Sequence, residues 1–191
     1  MELQHVNAKL LVKDSEGFDL EALVPIFHSW IENQNGSELL LDIADYQHVP
    51  AGPGVVLIGN DGDYSVDNAD GRLGVRYNRK AALEGGNQDR LEQAARAALK
   101  ACRRLEVDPR LGGKFHFNGH EIEIFINDRL LAPNSDATRE AAQRDFKLFA
   151  ARLFGGAEYT LLYPNDPRRL FGVTLKTALP FSAADLLAGL A

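Results

Sequence analysis

Hydrophobic and polar residues alternate in several short segments of this chain. Alternation with a period of two places every second side chain on the same face of a sheet, so it predicts β-strands. The run at 55–58 is apolar throughout, which is typical of a strand that is covered on both faces. Besides a hairpin at 114–126, the pattern predicts strands at residues 6–12, 39–44, 55–58, 73–77, 157–163 and 170–175.

Four other segments carry apolar residues at every third or fourth position, which is the spacing of one helical face. They predict helices near residues 20–31, 89–105 and 137–154, and a short helix after Ser182. Pro25 marks either the first turn of the first helix or a kink, because proline lacks the amide hydrogen of a helix interior. Asp89 with Glu92, and Ser182 with Asp185, have the spacing of capping boxes.

One β-hairpin is predicted from its turn. Asn118 and Gly119 stand between two alternating segments, and Asn-Gly is a preferred pair for a two-residue type I′ turn. That register pairs Phe117 with His120 across the hairpin. By contrast, residues 60–71 are predicted to form a long polar loop.

The predicted order is β-α-β followed by three hairpins, each with a helix after it. The first two of these hairpin-helix units, at about 54–106 and 112–155, match each other in sequence. Strands joined mostly as hairpins, with helices between them, predict the α+β class: a mainly antiparallel sheet with helices on one face. The two units suggest a tandem hairpin-helix duplication. No linker divides the 191 residues, so we expect a single domain at 1–191.

The formal charge of −6 limits the partners to be expected. It argues against a general nucleic-acid binder and against adhesion to anionic membranes, because both depend on an excess of basic residues. The amino terminus lacks the features of a signal peptide, and no apolar run approaches the roughly 20 residues of a membrane span. The single cysteine, Cys102, cannot form an intrachain disulfide. We therefore expect a cytoplasmic protein.

Asp42, Asp45 and His48 follow one another around the end of a predicted strand, and we call them the Asp42 cluster. Two carboxylates and an imidazole can bind a divalent metal or carry out acid–base chemistry. The alternative is that Asp45, Tyr46 and Pro50 shape a tight turn through hydrogen bonds from side chain to backbone.

The predicted loop at 60–71 contains four aspartates, which raises the question of calcium. EF-hand spacing with Asp70 and Gly71 at the fifth and sixth positions puts Val66 where the first carboxylate must stand, and the closing glutamate is missing. Glycines in the chain fit neither the Rossmann nor the P-loop spacing. We predict neither a metal nor a cofactor.

Superposing the two repeat units places Asn78 on Asn127 and Lys80 on Arg129. In each unit, the asparagine and the cationic residue follow a strand and precede a helix. The residues of both units should therefore lie near the same edge of the sheet. Amide and cationic groups together there would bind a carboxylate or a phosphate. The alternative is that the asparagines accept an unusual backbone conformation and the cations are solvated.

Three stretches are considered together: DIADYQHVPAGPGVVLI at 42–58, YNRKAAL at 77–83 and FINDRLLAPN at 125–134. They resemble a family of uncharacterised bacterial proteins that covers most of this length. The resemblance implies a bacterial cytoplasmic origin and a single domain. It implies no activity, cofactor or catalytic residue.

These observations favour a non-catalytic protein that binds a small anionic ligand or a protein partner. We also expect a homodimer, because apolar residues are left over on short elements. Those residues are Leu186, Leu187, Leu190 and Phe125. The alternative is an enzyme, a metal-dependent or acid–base hydrolase or transferase that uses the Asp42 cluster, with Asn78 and Lys80 nearby.

Overall fold

The computed structural model describes residues 1–13, 18–34, 38–49 and 52–191. Within these residues, eight strands form one open sheet in which every neighbouring pair is antiparallel. Four α-helices pack on one face of that sheet. The predicted α+β class with a mainly antiparallel sheet is confirmed.

The sheet order is β2-β3-β4-β5-β1-β6-β8-β7. The strands are β1 (Val6–Val12), β2 (Leu40–Asp45), β3 (Val55–Gly59), β4 (Gly62–Asp67), β5 (Gly74–Arg79), β6 (Phe117–Ile126), β7 (Tyr159–Leu162) and β8 (Gly172–Thr177). The helices are α1 (Leu23–Glu32), α2 (Asn87–Glu106), α3 (Asp136–Leu153) and α4 (Ala183–Gly189). Pro25 lies in the first turn of α1, one of the two positions expected for it.

The first strand lies near the middle of the sheet and is buried on both faces. Its residues Ala8 and Leu10 point to the helices and belong to the main hydrophobic core. Its alternate residues Asn7 and Lys9 point to the other face, yet they are only 3% and 1% exposed. Buried polar side chains on this helix-free face, called the open face below, need partners of their own.

The prediction of a long polar loop at 60–71 is wrong, because residues 62–67 form β4. This strand pairs with β3 through the tight connection at Asn60 and Asp61, and with β5 on its other side. Its inward residue Val66 joins the core, while Asp63 and Asp67 face cations on the open face. Because half of its side chains are polar, this strand has the composition of a loop when only the sequence is considered.

The predicted Asn118-Gly119 hairpin is also wrong, since both residues lie inside the single strand β6. Gly119 does adopt a positive φ of 78°, but its carbonyl accepts a hydrogen bond from the Phe181 amide instead of closing a turn. The segment before β6 continues alongside β1, where the Lys13 amide donates to the His116 carbonyl. Only the first predicted unit has a hairpin before its helix, so the tandem duplication stays a prediction.

The cap of α2 differs from the prediction. The helix begins at Asn87, with Gly86 as the capping residue, and the Asp89 carboxylate accepts the Gly86 amide at 2.7 Å. Glu92 lies one turn further in and pairs with Arg152 of α3 at 2.6 Å. The capping box predicted for α4, from Ser182 and Asp185, is confirmed.

The apolar residues from which a homodimer is expected are mostly covered by the chain itself. Leu186 and Leu190 are 0% exposed, and Leu187 is partly buried against the same core. Phe125 is half-buried on the open face. These residues therefore do not support a homodimer. The homodimer stays a prediction. None of the described helices is both long and apolar enough to cross a membrane.

Candidate functional site

A cleft of about 690 Å³ lies on the open face of the sheet, above β1, β5, β6 and β8. Its floor consists of outward-pointing residues of these strands. One side is formed by the turn of 3-10 helix at Ala69–Gly71, and the other by the connection between β7 and β8. The two sides meet where the Arg169 guanidinium pairs with the Asp70 carboxylate.

The charges of the cleft differ in sign from those of the whole chain. The described residues that line it include six basic side chains against three acidic ones, and Asp67, buried beneath the floor, adds a fourth carboxylate. The cleft is therefore positive, whereas the full sequence carries −6. The basic residues are Lys9, Arg72, Arg76, Arg129, Arg168 and Arg169, and the acidic ones are Asp70, Glu123 and Asp166. A cleft that concentrates one sign of charge raises the local concentration of the opposite ion.

Asp67 organises the charged half of the floor. Its Oδ1 accepts hydrogen bonds from Lys9 Nζ at 2.8 Å and from the Ala69 amide at 2.9 Å. Its Oδ2 lies 3.3 Å from Arg76 Nη2 in a geometry too poor for a hydrogen bond. Two cations therefore share one fully buried carboxylate, and one positive charge at the floor is left without an equal partner.

A second charged group occupies the end of the floor nearer Arg72. The Arg72 guanidinium pairs with Glu123 and also reaches Glu121 at 2.6 Å, and Lys176 approaches Glu121 from β8 at 2.9 Å. Burial raises the pKa of Glu121, but the hydrogen bonds from Lys176 and Arg72 outweigh it and leave that pKa below its usual value. The charges of this group balance one another.

Asn7 lies between these charges and the apolar part of the floor. Its register partner on β6 is Phe125. The central carbon of the Arg76 guanidinium lies 5.7 Å from the centre of the Phe125 ring. Within the described chain, Asn7 Oδ1 is buried without a hydrogen-bond partner. Such an atom is costly in a folded protein, so it marks a place where a ligand could donate the missing hydrogen bond.

The rim adds cations with weaker compensation. Arg129 Nη1 donates to the Arg168 carbonyl at 2.6 Å, and no described ion pair includes Arg129. Arg168 pairs with Asp166 two residues earlier, and hydrogen bonds from Arg168 hold the pKa of Asp166 below its usual value. Guanidinium groups presented in this way suit carboxylates and phosphates, which they bind through two parallel hydrogen bonds.

The four residues predicted to form an anion site are only partly brought together. Asn78 and Asn127 do lie at the same edge of the sheet, with Asn127 Nδ2 3.4 Å from Asn78 Oδ1. Arg129 lines the cleft. Lys80 points elsewhere and binds Asp63 at 2.7 Å and the Gly59 carbonyl at 2.6 Å.

The Asp42 cluster is not assembled in the structure. Asp42, Asp45 and His48 are all exposed, and the two aspartates project from opposite faces of β2 because they are three positions apart. The Asp45 carboxylate instead accepts the Gln47 amide at 2.9 Å, as in the predicted tight turn. Pro50, the other residue of that turn, lies outside the described residues. No group of three potential metal ligands occurs in the described ranges.

A smaller cavity of about 350 Å³ lies on the helix side, between α1 and α2. Its polar groups bind one another: Tyr64 and Tyr77 donate to the two oxygens of Glu38 at 2.7 and 2.9 Å. Burial raises the pKa of both phenols, that of Tyr77 to about 12, so both keep their protons. This network satisfies Glu38 and the two phenols, whereas Gln93 Oε1 in the same cavity has no hydrogen-bond partner within the described residues. The open-face cleft is the better candidate for ligand binding because it is larger and is lined by more basic side chains.

Lys9, Asp67 and Arg76 were not singled out by sequence reasoning. The signal that could have found Lys9 is the alternation itself, since Asn7 and Lys9 occupy the polar positions of a strand whose other positions are apolar. A lysine at the centre of a central strand needs a buried counterion. The sequence does not show that Asp67 supplies it, because their pairing depends on the strand order.

Comparison with known proteins gives no match, either to a family model, to a curated protein or to a solved structure.

Proposed function

We propose that this protein binds a small anionic ligand in the open-face cleft. The observation that carries the proposal is the excess of positive charge there in a chain whose total charge is negative. Lys9 and Arg76 share the single carboxylate of Asp67, so the floor itself retains a positive charge. A ligand carboxylate or phosphate would supply the missing counterion.

The floor is also built before any ligand arrives. Lys9 and Asp67 are almost fully buried, and Arg76 has only 27% of its side chain exposed. A binding site whose side chains are already fixed loses little conformational entropy when the ligand enters. The unpartnered Asn7 oxygen adds an acceptor for a hydroxyl or amide group of the same ligand.

A thermal unfolding series with inorganic phosphate tests the proposal, with sodium chloride at matched ionic strength as the reference. A ligand that binds only the folded state at about a hundred times its Kd stabilises it by about 2.7 kcal/mol. For a protein of this size, we expect a saturable rise in melting temperature of several degrees.

Two charge-neutralising variants locate the effect. Arg76→Gln removes the floor charge and Arg129→Gln a rim charge, and a hydrogen bond to a charged group is worth about 1.5–3 kcal/mol. We expect each variant to weaken phosphate binding about tenfold or more. Arg144→Gln, on the exposed surface of α3, is the matched control and should bind like the parent. Equal shifts in all four proteins would refute the proposal.

A further inference from the structure

The two halves of the cleft floor differ in chemistry. The half formed by the register partners Arg76, Lys9 and Glu123 is charged, and the half formed by the register partners Asn7, Phe125 and Gly172 carries no charge. We propose that the ligand is an aromatic anion whose charged group meets Arg76 and whose ring packs on the exposed part of Phe125. This inference rests on the proposed function and narrows its ligand class.

Gly172 allows the Phe125 ring to lie close to the backbone of β8. The two residues are register partners on neighbouring strands, so their side chains would point to the same face. A Cβ atom at position 172 would lie 3.1 Å from Phe125 Cδ1 and 2.3 Å from the Ile124 carbonyl oxygen. Only glycine fits, so Phe125 packs against the backbone of β8, and its half-buried ring is the apolar part of the floor.

The Arg76 guanidinium does not stack closely on that ring. Its central carbon is 5.7 Å from the ring centre, near the outer limit of about 6 Å for a cation–π contact. On the helix side, by comparison, the Arg104 guanidinium lies 3.8 Å from the Trp30 ring. The loose contact places a cation beside Phe125 and leaves the exposed part of the ring available to another group.

Apolar side chains continue the surface towards the connection between β7 and β8. Leu162 lines the cleft with 49% of its surface exposed, and Tyr163 and Leu170 line it too. An inorganic anion would satisfy the arginines and leave this surface in water. An aromatic carboxylate would use both halves, because a flat ring packs against Phe125 while its carboxylate faces the cations.

Calorimetric titration of the full chain with benzoate, cyclohexanecarboxylate, acetate and inorganic phosphate tests the inference. We expect benzoate to bind about tenfold or more tightly than acetate, with cyclohexanecarboxylate between them, because stacking adds to the burial of apolar surface. Phe125→Leu should remove the advantage of benzoate over cyclohexanecarboxylate and leave phosphate binding unchanged. Phe181→Leu changes a phenylalanine outside the cleft, so it should change neither the preference for benzoate nor the binding of phosphate.

The outcomes separate this inference from the proposed function. If phosphate binds but benzoate binds no more tightly than acetate, the aromatic ligand class is wrong and the anion site stands. The aromatic ligand class is equally wrong if Phe125→Leu retains the full preference for benzoate. If none of the four anions binds, the proposed function fails, and the aromatic ligand class fails with it.

Discussion

At the scale of single residues, the open face depends on Asp67. Polar side chains at the centre of a sheet are expensive to bury unless their hydrogen bonds and charges are satisfied. Asp67 satisfies Lys9, approaches Arg76 and fixes the start of the turn at Ala69–Gly71. One carboxylate thus joins three elements that contribute to the cleft.

Replacing Asp67 with asparagine should strongly destabilise the protein. The change leaves Lys9 and Arg76 buried together without a counterion, and breaking a buried ion pair costs about 3–5 kcal/mol. Urea unfolding measures the loss. Asp136→Asn, which changes a 96% exposed side chain, is the control and should stay within about 0.5 kcal/mol. A loss below about 1 kcal/mol for Asp67→Asn would show that Lys9 does not need this partner.

Glu121 should contribute to acid unfolding. Because its folded-state pKa is lowered by Lys176 and Arg72, its stabilisation is present above the unfolded pKa and is lost as pH falls through the folded pKa. Glu121→Gln should therefore lose less stability than the parent between about pH 5 and pH 3. Unfolding free energies measured across that range check this, with Glu140→Gln on the exposed surface of α3 as control. If the unfolding free energies of the parent and of Glu121→Gln fell equally as the pH is lowered, the pairing of Glu121 with Lys176 and Arg72 would be contradicted.

At the scale of elements, the short α4 is part of the core of the chain. Leu186 within it and Leu190 at its end are fully buried, and the Leu190 carbonyl accepts a hydrogen bond from Arg96 of α2. Amphipathic spacing showed which face of α4 needs a partner. It did not show whether that partner is the same chain or a second copy, because both bury the same side chains.

Leu186→Ala should destabilise the fold of the single chain by about 2–5 kcal/mol, the usual cost of truncating a buried leucine. Leu179→Ala, at a position that is 74% exposed, should change stability by less than about 0.5 kcal/mol. Chemical denaturation gives both values, and light scattering gives the mass of each variant. If Leu186→Ala instead left stability unchanged and altered the mass in solution, α4 would be an interface between copies.

The elements also show what the sequence could and could not predict. Strands β1 and β8 and helices α2 and α3 have clear periodicity, and β3 is a continuous apolar run. The structure contains all five close to the predicted positions. Strand β4 was missed because its polar positions face Lys80, Lys9 and Arg76, whose places beside it depend on the strand order. Asn118-Gly119 was misread because turn propensity is local, whereas pairing with β1 and β8 keeps β6 continuous.

At the scale of the whole molecule, charge is separated between the open-face cleft and the rest of the chain. Composition alone shows only the total of −6. The cluster of basic residues appears when β5, β1 and β6 become neighbours and the connection between β7 and β8 adds its arginines. Arg129, predicted as an anion ligand from the repeat, belongs to this cleft, whereas its repeat partner Lys80 does not.

A backbone amide NMR titration with inorganic phosphate tests the anion site most directly. We expect saturable shifts at Asn7, Lys9, Arg76 and Phe125, with little change around Glu38 and Gln93 of the helix-side cavity. Arg76→Gln should remove those shifts while its spectrum stays that of the folded protein. Shifts that are absent, or that concentrate around Glu38 and Gln93, would contradict an anion site on the open face.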